Sequence, residues 1–168
     1  MKTAEDEEDA LLLGAAMRLI RKLRRMRPSE VATAMGIPVR TYEHLEAGRG
    51  RVTYGRMRLF AEATDCDVVA LGAAIQLKDP LIALHCADTK SFHVWLVALG
   101  ELHEKLGPDL SLIETRTMIG AATKTCRELE EHVSKRDLFA ERWLDERAEK
   151  LASRSRTALP PRLPRTSR

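Results

Sequence analysis

Apolar positions along this chain recur at spacings of three and four, the period of helices that bury one face. Leu13, Met17 and Ile20 mark the first such stretch. Thr3, with Asp6 three residues on, predicts its cap, and acids Glu5 to Asp9 at the start and bases Arg21 to Arg25 at the end suit the helix dipole. Pro28 fits the first position of a second helix, where a missing N–H costs nothing. Val31, Ala32 and Met35 make its inner face, a tight turn follows at Met35, Gly36 and Ile37, and Tyr42 and Leu45 hold down a third helix near Val39 to Leu45. Gly48 is expected as a left-handed cap to that helix. After the loop from Gly48 to Thr53, Met57, Phe60 and Ala61 face inward from a fourth helix, and Asp67 can cap a fifth from Val68 to about Leu77. Five helices close a small domain.

From Lys78 the pattern changes. Asp79-Pro80 and Ala87-Asp88 punctuate a connector, after which Phe92, Trp95, Leu96, Leu99, Leu102 and Leu106 share one helical face ended by Gly107 and Pro108. Asp109 or Ser111 can cap the next helix, where Leu112, Thr115, Ile119, Ala122, Cys126, Leu129 and Val133 form a heptad-like seam. Packing of this seam against Phe92 to Leu106 within one subunit and coiling with a partner are equally open. Leu138, Phe139, Trp143 and Leu144 add a further apolar patch, and the end of the chain reads as a disordered basic tail. The expected fold is all-α: a five-helix domain over residues 1–77, a helical dimerisation or partner-binding region over 78–153 and the tail over 154–168.

Composition narrows the classes. With 168 residues, 44% of them apolar, the chain can pack a core, and no apolar run approaches the ~20 residues that span a bilayer. An acidic start is unlike a secretory signal, and three widely spaced cysteines, Cys66, Cys86 and Cys126, suit a reducing cytoplasm and read as small buried apolar residues. The net charge of +3 conceals segregation: residues 11–60 carry eleven bases against three acids, residues 61–110 three against eight. The basic surplus belongs to the window that contains the second and third helices, as phosphate contact would require. His85, Cys86, His93, His103 and Cys126 lack ligand spacing, so no metal site is expected. With no Gly-rich phosphate loop and no nucleophile matched to a histidine, neither an enzyme nor a cofactor is expected.

The stretch from Ser29 to Gly48 carries the chemistry. With Tyr42 and Leu45 facing inward, Arg40, Glu43 and His44 point outward on a helix that a major groove is wide enough to admit. Leu13-Gly14, Arg21, Val31-Ala32, Gly36-Ile37, Tyr42, Leu45, Glu46-Ala47-Gly48 and the run from Phe60 to Leu71 lie in an order that resembles the helix-turn-helix domain of phage repressors and Cro proteins. The resemblance covers about Leu13 to Leu71. It implies that Val39, Arg40 and His44, with Glu43 beside them, touch bases, and that Thr41, Ser29, Arg27, Arg49 and Arg51 reach phosphates. It also implies an ion pair between Arg21 and Glu46 holding the first helix to the third. Two positions depart from the family: Arg27-Pro28 and Pro38 stand where helix-opening Ser, Thr or Gln residues are usual, which shifts phosphate contact toward the arginines.

These readings point to a cytoplasmic, nucleoid-associated regulator of transcription that binds double-stranded DNA as a homodimer. The alternative is an antitoxin or an RNA polymerase adaptor whose C-terminal half binds a protein partner.

Overall fold

The computed structural model describes residues 3–157, and the side chains of all but 136–141, 144–146 and 148–157. The described residues form α-helices and no strand: α1 Ala4–Leu23, α2 Pro28–Ala34, α3 Val39–Glu46, α4 Tyr54–Thr64, α5 Val68–Gln76, α6 Pro80–His85, α7 Ser91–Leu106 and α8 Thr115–Thr157, with a 3-10 turn at Gly107–Leu112 before the last. The chain divides into two compact units, Met1–Pro108 and Asp109–Arg168. Among the described residues, no helix is long and apolar enough to cross a membrane.

Local chemistry sets the helix ends of the first unit. Thr3 and Asp6 form a reciprocal cap on α1, each side chain accepting the other's backbone N–H at 3.1 and 2.9 Å. Helix α2 lacks a hydroxyl cap, and Glu30 supplies the acceptor from within its first turn, taking the Arg27 N–H at 2.6 Å. Gly36 turns the chain between α2 and α3 at φ +67°, a conformation in which a Cβ would be strained. Thr53 caps α4 by accepting the Arg56 N–H at 3.3 Å.

The core gathers the inner faces of these helices. Leu13, Met17 and Ile20 of α1 meet Val31 and Met35, Tyr42 and Leu45, Phe60, and Ala70, Leu71 and Ala74. Tyr42 and Phe60 stack with ring centroids 6.4 Å apart. Helix α1 runs through the middle, packing on α3, α4, α5 and α6.

The segment read as a connector after Lys78 is a helix. Asp79 accepts the Leu81 N–H at 2.9 Å, Pro80 occupies the first turn, and Ala83 and Ala87 are buried as α6 packs against α1 and α5. The Lys78 ammonium bonds the Glu8 carboxylate at 3.1 Å, fixing the end of α5 to the start of α1. Helix α7 packs on α5, with Phe92 against the core, but Trp95, Leu96 and Leu99 of its expected apolar face are exposed.

Helix α8 differs from its expected outline at both ends. It starts at Thr115, not at a cap on Asp109 or Ser111, because the 3-10 turn intervenes, and Leu112 therefore lies outside the seam. At the other end it continues through 154–157, residues that the sequence places in the tail. The rest of that tail, 158–168, lies outside the described residues, as do the side chains of Leu138, Phe139 and Leu144. Cysteine burial also departs from expectation: Cys66 is buried, Cys86 half-buried and Cys126 exposed. Burial pushes the Cys66 thiol up, which makes it a poor nucleophile.

Candidate nucleic-acid interface

One helix, α3, presents two different surfaces. Tyr42, Leu45 and Glu46 are buried on one side, while Val39, Arg40, Glu43 and His44 are exposed on the other. Thr41, half-buried, ties its N–H to the Pro38 carbonyl at 2.9 Å and opens the helix in the absence of a side-chain cap.

Three connections immobilise the buried side. Arg21 of α1 reaches Glu46 with two donors, Nε to Oε1 at 2.6 Å and Nη2 to Oε2 at 3.0 Å, and the two side chains are only 14% and 9% exposed. The Tyr42 hydroxyl, one helical turn before Glu46, donates to Oε1 at 2.6 Å. Arg18 donates to the Glu46 backbone carbonyl at 2.9 Å, serving an acceptor that the end of a helix leaves without an N–H. At Gly14 the backbones of α1 and α3 come so close that a Cβ would stand 2.7 Å from the carbonyl oxygens of both Leu45 and Glu46.

Electrostatics follows from this arrangement. Burial pushes the Glu46 carboxyl up, but hydrogen bonds from Arg21 and Tyr42 and the charges of Arg21 and Arg18 outweigh it, so the carboxyl sits below its usual value. The hydrogen bond to Glu46 raises the Arg21 guanidinium further. Burial, reinforced by the Glu46 carboxylate, pushes the Tyr42 phenol well up and keeps it neutral and donating.

The remaining expected contact residues flank α3. Arg27 and Ser29 stand exposed at the start of α2, where Arg27 forms an ion pair with Glu30 at 3.5 Å and the Ser29 carbonyl accepts the Thr33 hydroxyl. Arg49 and Arg51 stand exposed in the loop after α3. The Arg49 and Gly50 N–H groups both bond the His44 carbonyl, at 2.9 and 3.1 Å, and the Arg56 guanidinium bonds the Arg51 carbonyl at 2.7 Å, so this loop is held at both ends. Arg56 was not singled out in the sequence, where nothing marks a side chain that reaches back five residues to a carbonyl.

Not all of the basic surplus faces outward. Arg18 and Arg21 are engaged with Glu46, and Arg24 donates to the carbonyls of Thr64 and Asp65 at 2.7 and 2.8 Å while pairing with Asp88 at 2.6 Å. A cation at the last carbonyls of α4 complements that helix end. Part of the charge segregation therefore cements the fold. Arg40, Arg49 and Arg51 are exposed, the first on the outer face of α3 and the other two in the loop that follows it.

Among the described residues, no group of three or more His, Cys, Asp or Glu side chains is placed to hold a metal ion. No curated protein and no solved structure matches the chain. Two short helices joined by the Gly36 turn, the second with its inner face locked to α1, make the helix-turn-helix arrangement, and residues 12–74 match the family model of the helix-turn-helix domain.

Proposed function

We propose that the chain is a sequence-specific regulator of transcription that places α3 in the major groove of double-stranded DNA and works as a homodimer. The observation that carries this reading is the division of α3 into an inner face of Tyr42, Leu45 and Glu46, fixed to α1, and an outer face of Val39, Arg40, Glu43 and His44. A helix so anchored enters a groove without losing its packing.

Arg40 suits a two-bond contact to guanine O6 and N7, Val39 a thymine methyl, and His44 a purine acceptor, with Glu43 as a discriminating neighbour. Thr41, Ser29, Arg27, Arg49 and Arg51 fit phosphate contact, which sets register and contributes the salt-dependent part of affinity. A two-fold dimer would present its two reading helices to half-sites about 34 to 36 Å apart or a multiple of that. A cytoplasmic, nucleoid-associated location goes with this role.

Selection from a random pool of duplexes at one fixed salt concentration tests the reading. It predicts an enriched motif with two related halves. Retention of all sequences alike would overturn it. A second reading, an antitoxin or RNA polymerase adaptor, is favoured by one observation, the exposure of Val94, Trp95, Leu96, Val97 and Leu99 on α7. It predicts that the purified chain alone enriches no motif and does so once a protein partner is supplied.

A further inference from the structure

Helix α8, 43 residues and therefore about 64 Å long, leaves its apolar residues uncovered: Ile119 is 61% exposed, Leu129 55% and Val133 59%. They belong to one stripe. Thr115, Ile119, Ala122, Cys126, Leu129 and Val133 follow spacings of four, three, four, three and four, so that Ile119, Cys126 and Val133 occupy the a positions of successive heptads and Thr115, Ala122 and Leu129 the d positions.

The charges avoid this stripe. Lys124 pairs with Glu128 at 3.9 Å and Lys135 with Glu131 at 3.3 Å, all four at the outer c and f positions, and no charged residue stands at a or d between Thr115 and Val133. Beyond Val133 the pattern stops. Arg136 falls on the next d position, and further along the same stripe the Arg147 guanidinium lies 4.9 Å above the Trp143 ring, so that a cation stands beside that still exposed aromatic. A stripe with defined ends, outer faces satisfied by their own ion pairs, and β-branched Ile119 and Val133 at a with Leu129 at d matches a parallel two-stranded coil.

We infer that the stripe from Thr115 to Val133 is the surface through which two copies of this chain join, as a parallel coiled coil in which Cys126 faces Cys126 of the second copy. This rests on the reading of the chain as a homodimer and names the segment, the orientation and the register. Orientation matters because in a parallel pair each a residue meets its own counterpart, whereas in an antiparallel pair it meets a d residue. Facing Cα atoms in such a seam lie in the ~4.4 to 6.8 Å window that a disulfide bridges.

The test uses the full chain without DNA, at low-micromolar concentration. Analytical ultracentrifugation is expected to give twice the chain mass, and mild oxidation a covalent dimer joined through Cys126, which peptide mapping identifies and the Cys126→Ser variant no longer forms. The Leu129→Glu variant is expected to sediment as a monomer while its affinity for a single half-site stays within twofold of the parent. A parent chain that sediments as a monomer, or a cross-link that persists through Cys86 in Cys126→Ser, overturns the inference. So does a Leu129→Glu variant that remains dimeric. A chain that dimerises and cross-links in this way yet enriches no DNA motif would overturn the DNA-binding reading and leave the coil standing.

Discussion

Arg21 and Glu46, 25 residues apart in the chain, meet through two hydrogen bonds of 2.6 and 3.0 Å and join α1 to the end of α3. The Tyr42 hydroxyl shares one of the same oxygens. Glu46→Gln removes the charge while keeping the shape, leaving a mostly buried guanidinium without its counter-ion. Removing one partner of a buried pair typically costs 3 to 5 kcal/mol, and with Arg21 retaining some solvent a loss of about 3 kcal/mol is expected. Urea unfolding of parent and variant measures it. Equal midpoints would mean that the pair contributes little.

The same cluster sets a pH window for stability. A carboxyl held low, as Glu46 is, contributes fully above its unfolded value near ~4.3 and loses that contribution as pH falls through the folded value. A phenol held high, as Tyr42 is, contributes fully below its unfolded value near ~10 and loses it as pH rises from there. Stability is therefore expected to decline at both extremes, with Glu46→Gln flattening the acid limb and Tyr42→Phe the alkaline one. Denaturant midpoints across the pH range decide this, and an acid limb of unchanged slope in Glu46→Gln would assign the decline to other carboxyls.

Gly14→Ala sets two effects against each other. Alanine favours the helix by about 1 kcal/mol, whereas forcing a methyl into a packed contact typically costs 1 to 3 kcal/mol. Here the obstacles are two backbone carbonyls at 2.7 Å, which cannot swing aside as a side chain would. The variant should melt below the parent. A higher melting temperature would show that α1 and α3 can separate slightly at no cost.

Arg40 is exposed on the outer face of α3, so Arg40→Ala should leave the melting temperature unchanged. If it grips a guanine, specific binding weakens by about 1 to 3 kcal/mol while nonspecific binding changes much less. Fluorescence anisotropy with a selected duplex and a scrambled one, at the same salt concentration, separates the two. A uniform loss on both would reassign Arg40 to the phosphate backbone.

Much of the first unit could be read from local rules. Thr3 and Gly36 each act within a few residues of their own position, so sequence spacing reveals what they do, and it reveals the cap that Asp67 puts on α5. Helix α6 carried the same kind of signal, an Asp cap followed by Pro, but its six residues leave too little periodicity to separate a helix from a connector. Long-range roles were less legible. Arg24 looked like one more base in a cluster, yet its partners Thr64, Asp65 and Asp88 lie 40 and more residues away, and only the fold selects them. The apolar face of α7 shows the opposite limit, since periodicity reveals that a face exists and not whether the same chain covers it. The outward position of Arg40 and His44 followed from the burial of Tyr42 and Leu45, because one helix cannot turn both sides inward.

Asp67 is fully buried, and its carboxylate serves two helices: one oxygen accepts the N–H groups of Val69 and Ala70 at 2.8 and 3.2 Å, the other that of His93 in the first turn of α7 at 3.0 Å. Helix α7 begins at Lys90 without a side-chain cap of its own, so this borrowed acceptor makes its first turn share the fate of α5. In hydrogen exchange the His93 amide should follow those of Val69 and Ala70 and slow by a similar factor, although it belongs to a largely exposed helix. A chain cut after Leu77 would leave that oxygen without its donor and strip the cover that Ala83 and Ala87 give to α1 and α5. The shortest piece expected to unfold in one cooperative step therefore ends near Pro108, well beyond the last residue of the helix-turn-helix match.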